Sequence, residues 1–283
     1  MEGIKLGLFD SLWNKTKKGE KPKTPKKTAI DNVVVREIVP DNDDDAQLSN
    51  IKILNEAIRL NPGYAEAYLG RGMAYHFLGQ HDRGIKDFDE AIRLNPGYAD
   101  AYYSRGIAYK ALGQHDRGIK DLDEVIRLNP GYADAYCDRG IVYCYLGQHN
   151  RAIKDFDEVI RLNPISYHAF LNRGSAYLSI GQSERAIKDY DEAIRLNPTA
   201  AQGFYTRASV YNDLGQYERA IKDCDIAIKL SPNDADAYYS RGICYANFGQ
   251  NDHAIKDFKE ALRLKPGMIE EVNKIIERLK IKL

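Results

Sequence analysis

The chain is poor in cysteine: four occur in 283 residues, with no CxxC pair and no zinc-type spacing. Cys137 and Cys144 stand seven residues apart on one predicted helix, too far along its axis to be bridged. Together with Cys224 and Cys244 they read as free thiols of a reducing compartment. No apolar run approaches the roughly 18 residues that a bilayer span requires. A continuous apolar core followed by a small-residue cleavage site is also missing near Met1, which argues against export by a cleaved signal. Net charge is absent too, because 41 basic residues balance 41 acidic ones. Bulk attraction to nucleic acid is therefore not expected, and no nucleic-acid partner is assigned. No nucleophile, base and orienting group fall together, and neither a glycine-rich phosphate loop nor a His and acid cluster at ligand spacing occurs. The expectation is a protein that is not an enzyme, with no catalytic residue, no metal and no cofactor.

What the chain does have is repetition. The stretch "AYYSRGIAY" at 101 returns as "AYLGRGMAY" at 67, "AYCDRGIVY" at 135, "AFLNRGSAY" at 169, "GFYTRASVY" at 203 and "AYYSRGICY" at 237, each start 34 residues from the next. Pro62, Pro96, Pro130, Pro164, Pro198, Pro232 and Pro266 keep the same beat. Such a period signifies a stacked array in which each unit buries its apolar face on its neighbours.

Each unit reads as two helices. Tyr102, Arg105, Gly106 and Tyr109 lie three or four residues apart, as do Ile119, Leu122, Val125 and Ile126, so each segment presents one face. Gly113 suits the left-handed residue that closes the first helix, and Asp116 is expected to cap the second. Asn129-Pro130-Gly131 turns the chain into the next unit. Gly106, Gly118 and Val125, and two units later Gly174, Ala186 and Ala193, mark the closest helix approaches, where a larger side chain should clash.

This pattern resembles the tetratricopeptide repeat family. Unit four supplies the family's Phe170, Gly174, Tyr177, Ala186, Tyr190, Ala193 and Pro198. The resemblance implies an all-α fold, a right-handed superhelical solenoid of antiparallel helix pairs. Six full repeats are expected over residues 65–268, as 65–98, 99–132, 133–166, 167–200, 201–234 and 235–268. A half repeat, second helix only, precedes them at 45–64, a capping helix follows at 269–283, and residues 1–44 form a tail.

One departure is systematic. Where the family has Leu before the Gly, all six units have Arg: Arg71, Arg105, Arg139, Arg173, Arg207 and Arg241. Each second helix carries an unvarying acid at Asp87, Asp121, Asp155, Asp189, Asp223 and Asp257. In the N-terminal half repeat the Asp slot holds Ile53, and in the C-terminal helix the Arg slot holds Ile275. Each charge vanishes where its partner in the same unit is missing. Pairing within the unit follows, as a partly buried clasp of structural Arg-Asp pairs that leaves the arginines little charge to offer a ligand. His81, His115 and His149 recur one unit apart at the turn, too far apart to share a metal.

Function then falls to the surface, and solenoids bind partners along the concave face. The resemblance builds that face from the first helices and assigns the peptide-binding groove to Asp100, Tyr103, Ile107, Lys110, Asp134, Asp138, Asn172, Tyr205, Asn212, Asp236 and Tyr239. Family members that hold acidic C-terminal tails use a clamp of Lys, Arg and Asn, for which Lys110 and Asn172 are nearly the only candidates here. A partner with apolar anchors and a basic or neutral backbone, as helix or strand, fits better. The expected function is a non-catalytic scaffold or adaptor that binds a peptide or helix of a protein partner in the cytoplasm. The alternatives are a self-associating structural scaffold, or a regulatory subunit of an enzyme complex.

In the tail, Leu8, Phe9, Leu12 and Trp13 fall at helical spacing, followed by Lys15, Lys17, Lys18, Lys21, Lys23, Lys26 and Lys27. Three readings stay open: an interfacial anchor on an anionic inner membrane face, a leash docking on a partner or on the chain's own groove, and an inert tail.

Overall fold

A computed structural model describes residues 44–279, as two compact bodies that divide between Val142 and Tyr143. The tail residues Leu8, Phe9, Leu12 and Trp13 lie outside the described residues. Every regular element among the described residues is helical. The first body holds α1 (Asp44–Leu60), α2 (Ala65–Phe77), α3 (His81–Leu94), α4 (Ala99–Ala111), α5 (His115–Leu128) and most of α6 (Ala133–Tyr145). The second holds α7 (His149–Leu162), α8 (Tyr167–Ser179), α9 (Ser183–Leu196), α10 (Ala201–Asp213), α11 (Tyr217–Leu230), α12 (Ala235–Asn247) and α13 (Asn251–Leu264). A 3-10 turn (Pro266–Met268) then leads to α14 (Ile269–Leu279).

Within each body the helices follow one another as packed hairpins. The second helix of each hairpin is strongly amphipathic: α5 buries Gly118, Asp121, Leu122 and Val125, one stripe at three- and four-residue spacing. Gly113 takes φ 70° and closes the turn before it. Asp116 does not cap α5. Gln114 holds the cap position without accepting a backbone N–H of the helix, its amide oxygen being taken by the Arg117 side chain at 2.7 Å. Asp116 sits inside the first turn, where only the helix dipole favours it. Between hairpins, the Asn129 side chain accepts the Gly131 N–H at 3.1 Å, and Asn61 and Asn95 do the same for Gly63 and Gly97.

The hairpins close over small residues. A Cβ added at Gly106 would lie 3.3 Å from both the Asp121 Cβ and the Gly118 carbonyl. At Gly174 and Gly242 it would lie 2.7 and 2.6 Å from the rings of Tyr190 and Phe258. Those rings fill the space that a side chain at either glycine would need, and both are almost wholly buried.

Arg105, Arg173, Arg207 and Arg241 each have two acid contacts, not one. Nε and one terminal nitrogen of Arg71, Arg105, Arg173, Arg207 and Arg241 grip Asp87, Asp121, Asp189, Asp223 and Asp257 side-on at 2.6–2.8 Å. The third nitrogen reaches back one unit: Arg105 to Asp89, Arg139 to Asp123, Arg173 to Asp157, Arg207 to Asp191 and Arg241 to Asp225, at 2.5–2.7 Å. Arg71 reaches Asn55 of α1 in the same way at 2.7 Å. The gripped acids, and Asp155 with them, are buried, while the acids one unit back are half exposed. For Arg71, Arg173 and Arg241 the bond to the gripped acid is the largest effect holding the pKa above its usual value. At Arg105 and Arg207 burial opposes that rise and the acids outweigh it.

α14 packs on the last hairpin. Val272 and Ile276 pack on Ala246, Ala254 and Phe258, while Glu270, Glu271, Asn273, Lys274 and Glu277 are exposed. A first-type helix with a polar outer face is what a repeat array needs at its end.

Candidate functional site

The candidate face is carried by the first helices of the hairpins, α2, α4 and α6 in one body and α8, α10 and α12 in the other. In the first body its centre is a buried ionic node. Tyr103 donates its hydroxyl to Asp138 at 2.6 Å, and the Lys110 ammonium reaches the other oxygen of Asp138 at 2.6 Å. Tyr103 and Asp138 are each only 1% exposed, so they are interior groups and not groove floor. Burial, then the Asp138 charge, pushes the Tyr103 hydroxyl far above its ordinary pKa. Next to it, Tyr132 donates to Asp100 at 3.1 Å and packs against Tyr103 with ring centroids 5.2 Å apart and the planes tilted by 32°. Asp100, Ile107 and Asp134 are partly exposed, and Glu66 is exposed.

In the second body Asn212 is 8% exposed and accepts a bond from Asn247 at 3.0 Å, so it too is an interior group. Asn172 is half-buried. Tyr205 packs beside Phe204 and Ala227 and Tyr239 beside Phe258, each keeping part of its surface. Burial and the charges of Asp234 and Asp236 raise the Tyr205 pKa. Asp236 lies 3.6 Å from Lys265, both half exposed. The acid and tyrosine pairing of the face thus recurs in both bodies, in different surroundings.

The node was missed in the sequence although a signal was present. At the sixth position of the units stand Gly70, Ser104, Asp138, Asn172, Thr206 and Ser240, and at the twelfth His76, Lys110, Cys144, Leu178, Asn212 and Ala246. Asp138 and Lys110 are charged departures from a small, mostly neutral series. Among the described residues no group of three or more His, Cys, Asp or Glu is placed to hold a metal. None of the described helices is long and apolar enough to cross a membrane. Cys224 and Cys244 are buried, and Cys137 and Cys144 partly so.

Comparison with known proteins follows the same lines. A tetratricopeptide repeat protein from Parabacteroides merdae ATCC 43184 superposes with a TM-score of 0.69 at 20% identity, over 88% of this chain and 99% of its own. MamA matches at 28% identity with a TM-score of 0.52, over 61% of this chain and 94% of its own. YrrB, a TPR protein with an unusual peptide-binding site, matches at 21% identity with a TM-score of 0.50, over 63% of this chain and 92% of its own. No curated protein matches the chain. Models of the tetratricopeptide repeat match residues 99–132, 137–201 and 205–269, and a TPR repeat model matches 72–113. With the helix hairpins, the 34-residue beat and matches over more than half its length, the chain belongs to the tetratricopeptide repeat family.

Proposed function

We propose that this protein is a non-catalytic adaptor whose first-helix faces hold a peptide or helix of a protein partner, and that the partner brings apolar anchors and positive charge. The observation that carries the reading is the commitment of Lys110 to Asp138. With that cation neutralised, the partly exposed charges of the first body's face are the acids Glu66, Asp100 and Asp134, set among Met73, Ile107 and Ile141. An acidic rim over an apolar floor attracts a cationic amphipathic segment and repels an acidic one. The peptide-binding site named for YrrB supports a peptide ligand for this fold.

Fluorescence anisotropy with labelled peptides tests this. A Lys-rich amphipathic peptide should bind, a Glu-rich one of equal hydrophobicity should not, and Asp100→Lys with Asp134→Lys should cut binding at least tenfold. Equal binding of both peptides would defeat the proposal.

Self-association by end-to-end stacking is the second reading. The charged outer surface of α14 opposes it at the C-terminal end, and light scattering at several concentrations distinguishes the two. Attachment to an anionic membrane through Leu8, Phe9, Leu12 and Trp13 is a separate proposal resting on the sequence alone.

A further inference from the structure

The turn between α2 and α3 holds a pair of imidazoles with no counterpart in the described units that follow. His76 Nδ1 and His81 Nδ1 are 3.0 Å apart, with ring centroids 4.6 Å apart and the planes tilted by 51°. The corresponding pairs are Lys110 and His115, Cys144 and His149, Leu178 and Ser183, Asn212 and Tyr217, and Ala246 and Asn251. The repeat fold therefore does not require histidine at either place. Both rings are partly exposed.

We propose that His76 and His81 form a two-nitrogen site for a divalent transition metal with a tetragonal preference, copper(II) or nickel(II). The separation is compatible with that preference. With metal–nitrogen bonds of about 2.0–2.1 Å, two nitrogens 3.0 Å apart subtend an angle of about 91–97°. That is the cis angle of square-planar or octahedral coordination, whereas a tetrahedral zinc site needs the nitrogens nearer 3.3 Å apart. On binding, the proton shared between the two Nδ1 atoms moves to Nε2 of the ring that carried it, and both Nδ1 lone pairs become ligands. No third His, Cys, Asp or Glu completes the set among the described residues. The remaining positions are left to water or to a group brought by another molecule, so the ion is exchangeable.

The test uses the full-length chain after chelator treatment, titrated with copper(II) chloride against glycine as competitor and followed by visible absorption and electron paramagnetic resonance. One equivalent with two equatorial nitrogens is expected. His81→Asn should weaken binding at least tenfold, and His115→Asn should leave it unchanged. Later units carry Ser183, Tyr217 and Asn251 at the position of His81, so that variant should fold, which circular dichroism verifies. His76→Asn gives a second, independent loss. Unchanged copper affinity in His81→Asn, or an equal loss in His115→Asn, would overturn the assignment.

Discussion

Arg105 joins Asp89 across the boundary between two repeats, with its terminal nitrogen 2.6 Å from the carboxylate, while the rest of its guanidinium is closed on Asp121. One side chain thus clasps a hairpin and ties it to the hairpin before. The two bonds differ in value because Asp121 is buried and Asp89 is about half exposed.

Arg105→Leu should lower stability by about 3 kcal/mol, because Asp121 is left buried without a partner, and Arg105→Leu with Asp121→Leu should recover most of that loss. Asp89→Asn should cost less than about 1 kcal/mol, as exposed ion pairs do. Chemical denaturation measures the parent, these three variants and Asp121→Leu alone. Additive effects at Arg105 and Asp121 would show that they are not coupled.

The ring stacked on a glycine predicts an order among alanine substitutions. Gly242→Ala brings a methyl group 2.6 Å from the Phe258 ring and should cost about 1–3 kcal/mol. Gly106→Ala meets nothing nearer than 3.3 Å and gains helix propensity, so it should stay within about 1 kcal/mol of the parent. A reversed order in thermal melts would contradict the packing.

His76 makes stability depend on acidity. Its folded pKa, about 4, lies below the ordinary 6.5, so the unfolded chain binds the proton more readily between those values. The contribution is fully present above pH 6.5 and is lost as pH falls, by about 2 kcal/mol between pH 7 and pH 5. His76→Leu, the residue type of Leu178 at the same place, should flatten the slope of stability against pH in that interval.

Tyr103 is the sharpest departure from the sequence reading. As a solvent-facing groove residue it would be replaceable by Ala at little cost. Buried and bonded to Asp138, it should instead cost about 3–5 kcal/mol as Tyr103→Ala, and about 1–2 kcal/mol as Tyr103→Phe. Unchanged melting of Tyr103→Ala would restore the surface assignment.

For the tail, anionic liposomes should sediment the full-length protein and not one lacking residues 1–28 if Leu8, Phe9, Leu12 and Trp13 enter the interface. Equal sedimentation of the two proteins would remove the anchor.

The periodic part of the structure was legible because each unit repeats the same local solution. Helix pairing, the Gly113 turn and the small residues at the crossings all follow from spacing. The half repeats, with Ile53 and Ile275 in place of the charges, pointed to the grip of Arg71, Arg105, Arg173, Arg207 and Arg241 on the Asp of their own units. The backward reach from Arg105 to Asp89 was equally written in the series Asp89, Asp123, Asp157, Asp191 and Asp225, which ends in Lys259 where no arginine follows. The Asp138 node was harder to read. It depends on three side chains from neighbouring hairpins meeting at one point, and a pattern of first-helix positions cannot tell an inward tyrosine from an outward one.

The backward reach also governs how such an array can lengthen. Any of the first five repeats carries both an arginine for the unit before it and an acid for the unit after it, so a tandem duplication of that stretch inserts itself with every guanidinium still answered. Duplicating the sixth would set a second Arg241 against Lys259, like charge on like. Growth from the interior is therefore compatible with the bonding, and growth at the C-terminal end first requires Lys259 to become an acceptor.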